Sequence, residues 1–317
     1  MSSPFPLLRL PRLVLFDVFK SLSIGEKIKL SLCSKKIFTL INNDRLHSPK
    51  VILYLDMAHQ VIRVYSENYF QIGIYLDRDI DNDREIQQWQ IKGCTVPVTT
   101  DEPTKVNTFW KDLVEGFLCV TQHLMKIFQC KISTGKECWR NGLFQPILSE
   151  LFDQKLEFEK ITVGLHESVD HNWLNRIFFS NLGLVEELEI SDLLIIPSSF
   201  IPIFPAWPRQ KITIKSNASW LTLDTLFTCT CSHIHISNTN LKNKELNEIL
   251  TYWMAGGLPN LEYLRIGSTK FKWDGDHILG MVPNEWEDQH TIQTDDGSKT
   301  AEVQLYQCNL KLLVFQS

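Results

Sequence analysis

Over the first fifty residues, apolar positions recur at helical spacing. Leu15, Val18, Phe19 and Leu22 form one stripe and predict a short first helix. Pro11 suits its opening turn, where a missing N–H costs nothing. Ser23 and Glu26 make an S-x-x-E capping box, each placed to satisfy an orphan donor of the first turn, and predict a second helix with Ile28, Leu30 and Leu32. Ile37, Phe38, Leu40 and Ile41 mark a third, which Asn42 and Asn43 would end. Leu7, Leu8, Leu10, Leu13, Val14, Leu15, Phe16, Val18, Phe19 and Leu22 all fall within 16 positions, so the first helix is apolar nearly all round. Three helices totalling about 40 residues cannot bury that surface among themselves. Part of it must face the rest of the chain or a partner protein.

The pattern changes after the head. Residues 51–55, 61–65 and 72–76 are β-rich runs separated by short polar breaks and predict a small antiparallel meander. Residues 104–128 keep a 3.6-residue period through Val106, Phe109, Trp110, Leu113, Val114, Phe117, Leu118, Leu124, Met125 and Phe128, which predicts one long core helix behind Pro103. From about residue 158 onward short strands recur at Ile161/Val163, Leu188/Ile190, Ile212/Ile214, Ile234/Ile236 and Leu264/Ile266, in steps of 27, 24, 22 and 30 residues. Helical stretches lie between several of them, one with Trp173, Leu174, Ile177 and Phe178, another with Leu246, Ile249, Leu250 and Trp253. Strand-then-helix units of this length resemble leucine-rich repeats. Val185, Leu188 and Ile190, and again Leu261, Leu264 and Ile266, carry the local L-x-x-L-x-L form, but Leu193 and Thr269 stand where an asparagine ladder would run. Val303, Leu305, Leu310, Leu312 and Val314 alternate near the end, with Asn309 near a turn, and predict two antiparallel strands that cap the stack. The expectation is a mixed α/β chain: a three-helix head over 5–45, then an irregular leucine-rich-repeat-like body over 46–317 with antiparallel strands near its two ends.

Composition adds exclusions. The 317 residues are 44% hydrophobic and 22% charged, a globular balance rather than a disordered one. The longest stretch that could suggest a span, residues 193–208, is uncharged but has only 16 residues and contains Pro197, Pro202, Pro205 and Pro208, so no membrane span is expected. Arg9, Arg12, Asp17 and Lys20 interrupt the N-terminal apolar run and leave no clean signal-peptide core. The eight cysteines form no C-x-x-C pair and read as reduced, mostly buried thiols of a cytoplasmic or nuclear protein. The sequon Asn217-Ala218-Ser219 then has no bearing. Net charge is −5, not the footprint of a nucleic-acid binder. It conceals a division: residues 1–50 hold nine basic and three acidic residues, +6, and the remainder is 23 against 34, −11. A basic head on an acidic body suggests two parts with different partners.

Candidate chemistry is sparse. No GxSxG elbow, P-loop, GxGxxG or HExxH occurs, so neither an enzyme nor a cofactor is expected. The acidic run at 77–83 lacks the glycine and glutamate of a calcium loop, with Asn82 and Gln88 in those places. Cys229, Cys231, His233 and His235 alternate on one strand face, but alternate residues lie about 6.7 Å apart along a strand, whereas two thiolates on one zinc lie about 3.8 Å apart. No metal site is expected there. Trp207, Trp220, Trp253, Trp273 and Trp286 are candidate interface anchors or core.

The head supports a closer identification. Leu10-Pro11, Leu15, Val18, Phe19, Leu22, Ser23, Glu26, Ile28 and Leu30, followed by Cys33-Ser34-Lys35-Lys36, resemble an F-box. Leu13 stands where that family usually has Glu, Cys33 for Val, Ser34 for Cys and Ile37 for Trp, as in the divergent F-boxes of the large nematode F-box family. The body, ending in Asn260-Leu261-Glu262-Tyr263-Leu264-Arg265-Ile266-Gly267, resembles that family's F-box-associated domain. The resemblance implies a non-enzymatic substrate receptor: the head would bind the Skp-type adaptor of a cullin–RING ubiquitin ligase of the SCF type, and the body would grip a target protein. Adaptor-binding positions carried over are Leu10, Pro11, Leu15, Val18, Phe19, Leu22, Ile28 and Leu30, some of them core rather than contact. The alternative is an interaction scaffold that does not lead to ubiquitination.

Overall fold

The computed structural model of the chain describes residues 9–33, 35–43, 51–66, 68–81, 85–164, 170–191, 204–215, 217–273, 275–286, 288–306 and 308–316. Leu7, Leu8, Asn82, Asp83, Leu193, Pro197 and Pro202, which figured in the sequence argument, lie outside them. The chain divides into two compact units, Met1–Glu157 and Phe158–Ser317.

The first unit begins with three helices, α1 (Arg12–Ser21), α2 (Ile24–Cys33) and α3 (Lys35–Asn43). The capping box forms: the Glu26 amide donates to Ser23 Oγ at 3.3 Å, and the Ser23 amide donates to Glu26 Oε2 at 2.8 Å. Ser23 Oγ also donates to Glu26 Oε2 at 2.7 Å, and this bond, followed by that of the Ser23 amide, holds the Glu26 carboxyl below its usual range. The strands β1 (Ile52–Asp56), β2 (Val61–Tyr65) and β3 (Tyr69–Leu76) pair antiparallel in sequence. β4 (Gln87–Ile91), β5 (Cys94–Glu102) and β6 (Lys105–Trp110) extend the sheet, with β6 running parallel to β3, while β7 (Lys131–Thr134) pairs parallel to β1 on the other side. The order is β7-β1-β2-β3-β6-β5-β4. α4 (Leu113–Phe128) and α5 (Phe144–Asp153) complete the unit.

One expectation is corrected here. Residues 104–128 are not one helix, because 105–110 form β6. Val106, Asn107, Thr108, Phe109 and Trp110 are all buried, so this strand reads as a continuous buried run and fits a helical period by coincidence. α4 starts only at Leu113, where the Asp112 carboxylate caps it by accepting from the Glu115 amide at 2.8 Å.

The second unit contains β8 (Phe158–Gly164), β9 (Val185–Ser191), β10 (Lys211–Ile214), β11 (His233–Thr239) and β12 (Tyr263–Ser268), all parallel in that order. β13 (His290–Gln293), β14 (Lys299–Tyr306) and β15 (Asn309–Gln316) follow antiparallel, with β15 paired to β12. Between the parallel strands lie an irregular helical passage through α6 (His171–Trp173) to Leu184, then α7 (Leu223–Phe227) and α8 (Asn243–Met254). Ile161, Val163, Leu188, Ile190, Ile212, Ile214, Ile234, Ile236, Leu264 and Ile266 are fully buried, as are Leu246, Ile249 and Leu250 of α8. Strand and helix therefore contribute facing halves of one core, at period 2 and period 3.6. Hydroxyls tie the C-terminal ends of β11 and β12 together: Thr239 Oγ1 donates to the Gly267 carbonyl at 3.0 Å and Thr269 Oγ1 to the Thr239 carbonyl at 3.1 Å. Among the described residues no helix is long and apolar enough to cross a membrane.

Candidate functional site

The eight head residues singled out from the sequence separate into three groups. Leu15, Phe19 and Ile28 are buried and form core. Leu10, Val18, Leu22 and Leu30 are half-buried, and Pro11 is exposed. Leu15 and Phe19 are four apart on the inner face of α1, and the Leu15 amide closes the first turn on the Pro11 carbonyl at 3.0 Å. The outer face carries two apolar residues absent from that set: Leu13 is 81% exposed and Val14 43%. Their signal was present in the sequence, since both fall off the Leu15–Phe19 stripe. Leu13, Val14 and Pro11 give the start of α1 an exposed apolar surface, and in its last turn the Lys20 ammonium lies 4.2 Å from the Phe16 ring centre.

The inner faces of α2 and α3 are held by the body of the first unit. The Lys29 ammonium donates to the Pro103 carbonyl at 2.9 Å and sits 5.6 Å from the Phe70 ring centre. Ser31 Oγ donates to the Ile28 carbonyl at 2.7 Å and lies 3.0 Å from His123 Nε2 on α4. With the hydroxyl proton directed to that carbonyl, the imidazole is the donor, through Nε2–H. The Phe38 and His123 rings are 4.9 Å apart. Burial, then Lys126 and Lys92, pull the His123 imidazole down to about 4, so it is neutral at pH 7. These residues border a cavity of about 440 Å³.

In the second unit the outward residues of β8–β12 are polar and line up by register. Glu189 on β9 is 6% exposed and lies between Lys160 at 2.7 Å and Lys215 at 2.6 Å. Burial pushes its carboxyl up, and the two lysines reverse that, so the group stays ionised. Further along, His233 and Tyr263 stack at 6.2 Å beside a cavity of about 720 Å³ that reaches Leu313 and Phe315.

Cys229, Cys231, His233 and His235 do not converge as ligands. Cys231 Sγ donates to the Pro208 carbonyl at 3.1 Å, and its hydrogen bond with Cys229, followed by burial, pushes the thiol up and keeps it protonated. Among the described residues the metal-type side chains that do approach one another are Cys94, Glu115 and Cys119, with ligand atoms within 4.8 Å. The Cys119 thiol there is itself pushed up by burial. Of the tryptophans, Trp207, Trp253 and Trp286 are buried and serve packing, with Trp286 Nε1 donating to the Ile278 carbonyl at 3.1 Å.

Residues 7–49 match the F-box domain family and residues 208–266 the F-box associated family. The chain is 23% identical over 305 residues to the Caenorhabditis elegans uncharacterized protein F59B2.8, covering 90% of this chain and 66% of that protein. It is 22% identical over 261 residues to the C. elegans F-box associated domain-containing protein sdz-33, covering 81% of this chain and 77% of that protein. No solved structure gives a significant match.

Proposed function

We propose that this chain, which carries an F-box domain at its N-terminus and an F-box-associated domain in its C-terminal half, is the substrate-recognition subunit of an SCF-type cullin–RING ubiquitin ligase. The F-box module, residues 5–45, docks on a Skp-type adaptor, and residues 46–317 bind the target protein. The observation that carries the reading is the exposed apolar outer face of α1, with Leu13 and Val14, on a module whose inner face is already occupied. Contact falls to Leu10, Pro11, Val18, Leu22 and Leu30, with Leu13 and Val14 added. Leu15, Phe19 and Ile28 act by shaping the helices. We further propose that the second unit is an irregular leucine-rich-repeat-like stack, supported by its parallel strands, its period of about 25 residues and its interposed helices. No chemistry is required of the chain itself: ubiquitin transfer gains from proximity, because tethering raises the target's concentration near the loaded ligase arm. Such an assembly operates in the cytoplasm or nucleus.

Co-purification of the full chain with a Skp-type adaptor and cullin tests this. Capture of both, with target proteins that accumulate when the ligase is inhibited, is the expected result. Failure to capture the adaptor, where another F-box protein captures it, rejects the reading. Capture without any change in partner lifetimes points instead to a scaffold.

A further inference from the structure

The second unit has a parallel sheet with one dry face and one polar face. Parallel sheets are ordinarily covered on both sides. Here the inward residues of β10–β12 are fully buried, while outward His233, His235, Tyr263 and Arg265 are half-exposed. The cross-strand register arranges the outward residues in two rows. One runs Lys160, Glu187, Lys211, His233, Tyr263, Leu313. The other runs Thr162, Glu189, Thr213, His235, Arg265, Lys311.

Charge is balanced at one end of these rows and not at the other. Lys160 and Lys215 are satisfied by Glu189, and Lys211 lies 3.8 Å from Glu187. Across β11, β12 and β15, by contrast, His235, Arg265 and Lys311 are consecutive, and Arg265 is directly opposite Lys311. Like charges placed opposite each other destabilise an antiparallel pair. Among the described residues neither cation has an ion-pair partner, and Arg265 Nε reaches only the Asn309 side-chain carbonyl at 3.4 Å. A local cost of this kind, held on an open face, is the pattern of a site that is completed by a ligand. The first row beside it supplies an apolar shelf: the stacked His233 and Tyr263 rings, Leu313 and the exposed Phe315, around the 720 Å³ cavity.

We infer that the outward face of β10, β11, β12 and β15 docks an extended acidic segment of a partner protein, with a carboxylate side chain on Arg265 and Lys311 and an apolar side chain on the Tyr263–Leu313 shelf. The inference rests on the receptor reading above and names the chemistry of its target. The two rows are two residues apart along each strand, about 6.7 Å, which is also the spacing of alternate side chains in an extended peptide. A peptide with an acidic and an apolar residue two apart therefore reaches both. Lys211, His233, His235, Tyr263 and Arg265 all fall inside the segment that matches the F-box associated family. A nucleic acid fits less well. Glu262 lies 3.8 Å from His233, and Glu302 is paired in register with Leu313, so acidic groups interrupt any continuous track for a phosphate backbone.

The test uses the purified full chain, to which a Skp-type adaptor is added for capture, and fluorescence anisotropy with three labelled probes. These are a short peptide repeating glutamate-serine-phenylalanine-serine, which sets acidic and apolar side chains two apart on one face, its lysine-for-glutamate counterpart, and a single-stranded oligothymidylate of equal charge. The acidic peptide is expected to bind, more weakly as salt rises, and the lysine peptide not to bind. Arg265→Glu with Lys311→Glu should weaken the acidic peptide on the order of tenfold or more. Because a charge reversal can disturb the sheet, Lys311→Gln provides the second variant. It relieves the repulsion, so its melting temperature should equal or exceed that of the wild type while peptide affinity falls. No binding of the acidic peptide, equal binding of the lysine peptide, preference for the oligonucleotide, or unaltered affinity in both variants overturns the proposal. Adaptor capture is read in the same samples. Lost capture with retained peptide binding would reject the receptor reading and leave the docking face standing; the reverse result would reject the face alone.

Discussion

His123 shows how one side chain ties the head to the body and makes that tie pH-sensitive. The ring is 6% exposed, donates to Ser31 on α2 and packs on Phe38 of α3. In the unfolded chain its imidazole takes up a proton near pH 6.5, and in the folded chain only near 4. A depressed histidine favours folding while it is neutral. Its contribution is therefore fully present above about pH 6.5 and is lost as pH falls towards 4, about 3 kcal/mol in all. Urea unfolding at pH 7 and pH 5 measures this. His123→Phe keeps a ring against Phe38 and leaves the Ser31 hydroxyl bonded to the Ile28 carbonyl, so it should flatten the dependence over that interval. His235, also pulled down by burial, contributes in the same direction and is untouched by the substitution, so the difference between the two proteins isolates His123. An identical pH dependence in both would show that His123 is not its source.

At the scale of elements, the proposed contact surface and the buried core lie on different faces of α1. Leu13→Asp and Val14→Asp change exposed positions and should alter stability by no more than about 0.5 kcal/mol while removing adaptor capture. Phe19→Ala deletes a fully buried ring and should cost about 3–5 kcal/mol. Thermal melts set beside adaptor pull-downs distinguish the two effects; retained capture by both surface variants would move the interface off α1. This division also marks what the sequence makes legible. The Ser23–Glu26 box and the Leu15–Phe19 stripe locate the head helices, because both signals are local. β6 is misread because a strand buried on both faces has no period of its own. β4 goes unseen because Gln87, Gln88 and Gln90 surround its inward Trp89 and Ile91 with polar neighbours at a sheet edge. The row of His235, Arg265 and Lys311, with its two adjacent cations, is invisible in one dimension. Those residues lie on three strands, and only register makes them neighbours.

At the scale of the whole molecule, the +6 head and −11 body describe charge, whereas compactness draws its first boundary after Glu157. The reason is the inner face of the F-box helices. Gly25 sits so close to the body that a Cβ there would stand 2.5 Å from Phe70, and Ser31, Lys29 and Phe38 each reach body residues. Ile28 and Ile41 are fully buried in this arrangement. Three short helices deprived of it hold too little core for independent stability. Residues 1–50 alone should therefore show weak helical circular dichroism and no cooperative melt, whereas residues 1–157 should melt cooperatively. Gly25→Val in the longer fragment, by pressing on Phe70, should lower its melting temperature without touching the α1 outer face, and so should leave adaptor capture by the fragment intact at low temperature. A cooperative melt from residues 1–50 alone would show that the head folds without the body. If the longer fragment behaves as expected, a partner bound at the outer face of α1 is attached to the whole first unit as one folded body rather than to the head alone.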